Sequence, residues 1–286
     1  MKKTNTNTAA TVTECKVSKQ IANALARAAH VDSILAKGDE MTPAERAELI
    51  LILARAVKYH DSGKIEGIFS LDVSCRNCEF CQKMQAAGQD DPTIICGCCY
   101  TNAFYQIVHI THEMQGKIIS RLELTDAEAS LIAVPGTMCR FDCDGELINL
   151  THAMNLLKIA SAHPLTTFTV WTKRPAILDA AIKAHGKPVN LVCGVSSPII
   201  NTPFSEKWTW CDFIFTVYTP AGMEKALARG EIECNGKKCM ACGFRCYTRP
   251  EKQGTVYIAE ALRKPAKKSA SEFAEMIKRI DAATLE

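Results

Sequence analysis

Ten of the fifteen cysteines in this chain fall in two short stretches. The first, SCRNCEFCQKMQAAGQDDPTIICGCCYT (residues 74–101), holds Cys75, Cys78, Cys81, Cys96, Cys98 and Cys99. The second, ECNGKKCMACGFRCYT (233–248), holds Cys234, Cys239, Cys242 and Cys246. Thiols this close in sequence let one loop wrap several sulfurs around one centre, which is metal or iron–sulfur chemistry. In the second stretch, C-x4-C-x2-C followed by x3-C overlaps parts of two ferredoxin spacings. Gly236 and Gly243 free the backbone to turn sulfurs inward. Lys237, Lys238 and Arg245 favour thiolates and offset a negative cluster. Four cysteines buried merely as small apolar residues should follow a helical or strand period, and these do not.

The first stretch reads two ways. Cys75, Cys78 and Cys81 form C-x-x-C-x-x-C, an iron–sulfur-like run. Cys75/Cys78 with Cys96/Cys99 also form C-x2-C-x17-C-x2-C, a zinc-ribbon spacing. Six thiols exceed what one tetrahedral zinc needs, and Cys98 is the extra one, grouped with the four downstream cysteines as a metal ligand. Cys139, Cys143, Cys193 and Cys211 lie in or beside apolar strands and read as packing, and Cys15 sits near the N-terminus. His109 and His112, one helical turn apart, offer a metal pair, but no H-E-x-x-H pattern accompanies them and packing or solvation is the simpler reading.

The elements that must position these thiols alternate. Residues 1–14 read as a disordered tail, and 15–62 as a helical extension with a capping box at TPAE (42–45). Residues 63–262 read as one α/β body carrying the cysteine knots at 75–99 and 234–246. Its strands are expected at 67–74, 117–124, 137–143, 166–172, 190–197, 212–219 and 254–260. Helices are expected at 101–114, 150–163, 175–185 and 220–230, with a short one opened by TDAE (125–128). Strand–helix alternation implies parallel strands with right-handed crossovers. It predicts a complete or partial TIM-like (β/α) barrel, with a doubly wound sheet as the alternative. Residues 263–286 give a basic linker, RKPAKK, and a final helix.

Net charge of +3 does not argue for nucleic acid or an anionic membrane. The basic linker is the one weak pointer to phosphate. The longest apolar run, LILILA (49–54), is far short of a membrane span, and no secretory h-region follows the first lysines. A cytoplasmic, reducing location is therefore expected, and there dense thiols mean metal or redox chemistry rather than disulfides. The substrate is not legible.

Several stretches, in order, resemble the phage gene product 88 family. MCRFDCDGEL (138–147) is similar to its R-x-x-x-x-G-D-F motif, with Arg140, Gly145 and Glu146 on the Arg, Gly and acid, and Leu147 for Phe. CCYT (98–101), FTVWTKRP (168–175) and CNGKKCMACGFRC (234–246) resemble its C-Y-A step, its Thr-Lys strand end and its terminal cysteine cluster. TFTVWTKRP with NLVCGVSS also resembles a second phage family distantly related to radical-SAM enzymes. That resemblance implies a barrel with a 4Fe–4S cluster at its mouth and S-adenosylmethionine on the fourth iron. The usual spacing there is C-x3-C-x2-C, where this chain has C-x2-C-x2-C. Cys75, Cys78, Cys81, Cys96 and Cys99 would then bind the cofactor, and Cys234, Cys239, Cys242 and Cys246 a second metal. Arg140, Glu146 and Lys173, with Arg174, would line the mouth as catalytic candidates. The implied function is an iron–sulfur protein, a redox or radical enzyme of phage or mobile-element origin. The alternative is a zinc-stabilised nucleic-acid- or protein-binding module with purely structural knots.

Overall fold

A computed structural model describes residues 7–99, 106–234, 236, 238–242, 246–247, 255–265 and 268–285. The expectations at 1–6 and 101–105, at Tyr100, Lys237, Gly243 and Arg245, and at 266–267 of the basic linker lie outside these residues.

The N-terminal helices are α1 (Asn7–Leu35) and α2 (Pro43–Ala54). The first begins inside the stretch expected as a tail. Helix α2 starts on the anticipated capping box, in which Thr42 and Glu45 satisfy each other's backbone N–H. The body runs β1 (Lys58–Tyr59), β2 (Phe69–Leu71), α3 (Glu79–Asp90), α4 (Gln106–Arg121), α5 (Asp126–Ser130), β3 (Met138–Phe141) and α6 (Leu150–Ala162). It continues through β4 (Thr167–Thr172), α7 (Pro175–His185), β5 (Leu191–Ser196), β6 (Phe213–Tyr218), α8 (Pro220–Ala228), β7 (Ile232–Cys234), β8 (Val256–Ala261) and α9 (Ala270–Thr284). Of the segment 117–124, expected as a strand, residues 117–121 are instead the last turn of α4. Its apolar residues Ile118 and Ile119, with Leu122, are buried together on one helical face, so a 3.6-residue period overrides β-branching.

One eight-stranded sheet has the order β1-β2-β3-β4-β5-β6-β8-β7. Among the described strands, β1 with β2 is antiparallel and the other pairs are parallel. From β2 to β6 each strand lies beside its predecessor without a reversal. Crossovers of one hand then place successive helices on one face, as in a barrel wall rather than a doubly wound sheet. The fold is thus mixed α/β and compatible with a partial barrel.

Period-two alternation sorts the side chains. Cys139, Phe141, Phe168, Val170, Leu191, Cys193, Val195 and Ile214 join the helices in the main core, and Phe141 stacks on Phe168. Cys139, Cys193 and Cys211 are packing residues there, as expected. On the opposite face Val192, Phe213, Phe215 and Ile258 pack with Trp171, Cys234 and Cys246. A Cβ on Gly194 would sit 2.1 Å from the Phe213 ring, so only glycine leaves room for that aromatic inside the curve.

The second cysteine segment bridges the two ends of the sheet. Cys239 N donates to Lys64 O at 2.7 Å, ahead of β2. Lys64 Nζ pairs with Glu260 of β8 at 2.6 Å, and Lys238 with Glu66 at 2.7 Å. Among the described residues no strand pairing joins these ends; loops and ion pairs do so. No described helix is long and apolar enough to cross a membrane.

Candidate metal centres

The first cysteine loop grows from the C-terminal end of β2. Ser74 caps a single helical turn, Cys75–Asn77, by accepting from Arg76 N. Asn77 Nδ2 pins that turn to Glu113 O of α4 at 3.0 Å. Cys78 is then the N-cap of α3, and Cys81 lies in its first turn. The Cys78 thiol is lowered to about 6. The Cys81 thiol donates to it, burial opposes, and the Cys81 backbone N–H and the Arg174 guanidinium assist. Cys81, the donor, is raised correspondingly. A helix N-terminus that gathers N–H donors favours a thiolate in this way.

The chain returns through a second tight contact. A Cβ on Gly97 would lie 2.2 Å from Gly88 O, so the two halves of the loop touch backbone to backbone. Ile95 N donates to Pro198 O at 2.9 Å, and Ile200 N to Thr93 O at 2.8 Å. The Cys96 segment is thereby fastened to the chain leaving β5. Cys96 then lies in the field of Cys99 and Cys75, and Lys173 in that of Cys96, Cys81 and Cys99. Burial pushes the Cys96 thiol up and Lys173 opposes this. Cys75, Cys78, Cys81, Cys96 and Cys99 thus share one region over the ends of β2 to β5. Cys98 does not join them: it packs toward Met276 and Ile280 of α9.

The candidate catalytic residues divide. Glu146 is buried, and its oxygens accept from Leu147 N at 2.9 Å, Lys173 N at 2.7 Å and Thr172 Oγ1. It braces the β3–α6 loop against the end of β4. Arg174 Nη1 donates to Leu147 O and Ile148 O at 2.7 Å and approaches Cys78 Sγ at 3.5 Å. Lys173 and Arg174 therefore face the first thiol group. Arg140 lies elsewhere, stacked 4.1 Å over the Trp171 ring on the inner face, in the field of Cys239 and Cys246.

Cys234, Cys239, Cys242 and Cys246 line one small cavity with Trp171 and Lys64. Thr169 Oγ1 of β4 donates to Cys246 O at 2.7 Å, anchoring the segment inside the curved sheet. Burial pushes the Cys246 thiol up to about 12, and the other three sulfurs add to this against Arg140. A bound cation reverses that balance, because metal coordination deprotonates a thiol outright. Burial lowers Lys64, but Glu260 and Cys234 outweigh it and leave the ammonium raised. Among the described residues, Lys173 and Arg174 thus stand beside the first thiol group, and Lys64 and Arg140 beside the second. Among the described residues no cysteine is joined in a disulfide.

A buried polar group that spacing did not reveal begins three residues before Cys75, at Asp72. Asp72, His112 and Asp144 bring one donor atom each within 4.8 Å of one another, and His60, Asp72 and Cys143 do the same. His109 and His112 are both buried on α4. On the other side of β3, Asp142 and His152 meet at 3.6 Å with almost no exposure. Ile148 N donates to His152 Nδ1, so the ring carries its proton on Nε2, facing Asp142.

No family model, curated protein or solved structure matches the chain.

Proposed function

We propose that the chain is an iron–sulfur protein whose 75–99 loop carries a redox-active or substrate-facing cluster and whose 234–246 loop carries a second, structural centre. The observation that supports this most is the convergence of five thiols over the C-terminal ends of parallel strands, beside Lys173 and Arg174. Parallel α/β folds build their active sites at that end, and two cations offset the negative charge of a thiolate-bound cluster. The 75–99 stretch also holds more thiols than one tetrahedral zinc needs.

The resemblance to phage gene product 88-like and radical-SAM-like proteins extends this to a TIM-like barrel with S-adenosylmethionine on one iron. Lys173 is then the cation for its carboxylate, with Arg174 behind it. Arg140 sits with the other loop, and Glu146 already has its oxygens engaged.

The test is spectroscopic. The full chain, reconstituted anaerobically and reduced with dithionite, should show an iron–sulfur EPR signal that shifts when S-adenosylmethionine is added, with slow release of 5′-deoxyadenosine. A loaded cluster that ignores S-adenosylmethionine refutes the radical-SAM extension and leaves electron transfer. A chain that takes up no iron refutes the whole reading.

A further inference from the structure

We propose that Asp72, His112 and Asp144 form a third metal site, for one divalent first-row transition ion, separate from both cysteine loops. The donors come from three elements: the residue after β2, the middle of α4, and the β3–α6 loop. Their donor atoms lie within 4.8 Å of one another. His112 Nδ1 and Asp144 Oδ2 are 3.5 Å apart. That is too long for a hydrogen bond. It is close to the edge, roughly 3.4 Å, of a tetrahedron with metal–ligand bonds of about 2.1 Å.

Burial makes the approach of two carboxylates and an imidazole costly in itself. Asp72 is 2% exposed and His112 8%. Among the described residues the His112 ring has no shorter polar contact than the one to Asp144. Two carboxylates at such a separation repel, and a dication between them removes the repulsion.

The surroundings orient Asp72 as ligand-supporting shells do. Cys143 N donates to its Oδ1 at 2.8 Å, and Ser70 Oγ donates to its Oδ2. His60 Nε2 meets Ser70 Oγ at 2.8 Å. His60 thus stands behind Asp72, with its own donor atom and that of Cys143 within 4.8 Å of Asp72's. One imidazole with two carboxylates suits manganese, iron or zinc. The Asp144 side chain keeps 15% exposure, which gives an ion a way in.

This site does not depend on what the thiol loops hold. Mn²⁺ tests it, because thiolate sites disfavour that ion and oxygen-rich ones accept it. The full chain, dialysed anaerobically against a weak chelator that leaves thiol-bound metal in place and shown to be folded by circular dichroism, is titrated with Mn²⁺ while the EPR signal of the free ion is followed. One equivalent should bind and be displaced by Zn²⁺. Asp144→Asn and His112→Gln, each folded, should weaken binding about tenfold or more. Cys98→Ser, which alters a thiol turned toward α9, should leave it unchanged. Folded wild-type chain that binds neither ion overturns the proposal, as do both folded variants binding Mn²⁺ as tightly as wild type.

Discussion

Replacing Glu146 with glutamine separates a bracing carboxylate from one that handles substrate. The side chain is buried and takes three hydrogen bonds: from Leu147 N, Thr172 Oγ1 and Lys173 N. Glutamine has the same shape but only one acceptor oxygen. If that oxygen keeps Leu147 N and Thr172 Oγ1, the amide NH2 is set against the Lys173 N–H. At least one charge-assisted bond is lost, worth about 1.5–3 kcal/mol, and the remaining two become neutral and weaker. The expected loss is about 2–4 kcal/mol, a large part of a typical domain's stability of roughly 5–15 kcal/mol. With a urea m-value of about 3 kcal/mol per molar, the midpoint falls by roughly 1 M. Thr172→Val removes the donation to Glu146 and the acceptance from Arg174 N, and should cost about 2 kcal/mol. Anaerobic urea unfolding of metal-matched samples, followed by circular dichroism, reads both values. A Glu146→Gln chain that unfolds at the wild-type midpoint would refute the brace and return Glu146 to the role of a reactive carboxylate.

Three further outcomes follow from the same geometry. Cys239→Ser and Cys242→Ser should yield metal-depleted or insoluble chain, because metal binding at a thiolate site is coupled to folding and this loop bridges the sheet ends. Soluble variants with unchanged metal content, determined by elemental analysis, would contradict that. Gly97→Ala forces apart the backbone contact with Gly88, so it should lower iron uptake at the 75–99 loop while far-ultraviolet circular dichroism stays near wild type; unchanged uptake counts against the convergence of the two halves. Finally, Arg46 holds Glu128 at about 2, chiefly through its side-chain hydrogen bonds. A carboxyl depressed on folding stabilises above its unfolded value near 4.5 and loses that contribution as the pH falls toward 2. Arg46→Ala should therefore cost about 1 kcal/mol at neutral pH, as the pair is partly exposed. Urea unfolding at pH 7 and pH 3 should show the gap closing; an equal gap at both would refute it.

The alternating βα pattern was legible because buried parallel strands and amphipathic helices have distinct periods. Residues 166–172, 190–197 and 212–219 all contain the strands expected there. Segment 117–124 misled because its Ile and Leu residues fit either period once the helix is buried on one side. Helix α3 was hidden by its cysteines, which drew attention to the loop rather than to the N-cap position that Cys78 occupies. The short strands β1 and β7 carry too few residues to show a period. Spacing divides the thiols into two sets but says nothing of Cys98, whose direction depends on where α9 packs. Arg140 was misplaced because a strand-end motif does not say which face its arginine takes; pairing with Thr169 and stacking on Trp171 put it on the inner face. The Asp72, His112 and Asp144 group was invisible because its members come from three separate elements, and only the folded sheet and α4 unite them.

The central claim is that these thiols hold iron and inorganic sulfide. Its most direct measurement is the iron, acid-labile sulfide and zinc content of the full chain purified without oxygen. The account predicts brown protein with iron and sulfide in nearly equal amounts, roughly four of each for every 4Fe–4S cluster. It also predicts that Cys78→Ser and Cys81→Ser remove the share held by the 75–99 loop. Colourless protein with stoichiometric zinc and no sulfide would contradict it, and would make both cysteine loops structural zinc sites.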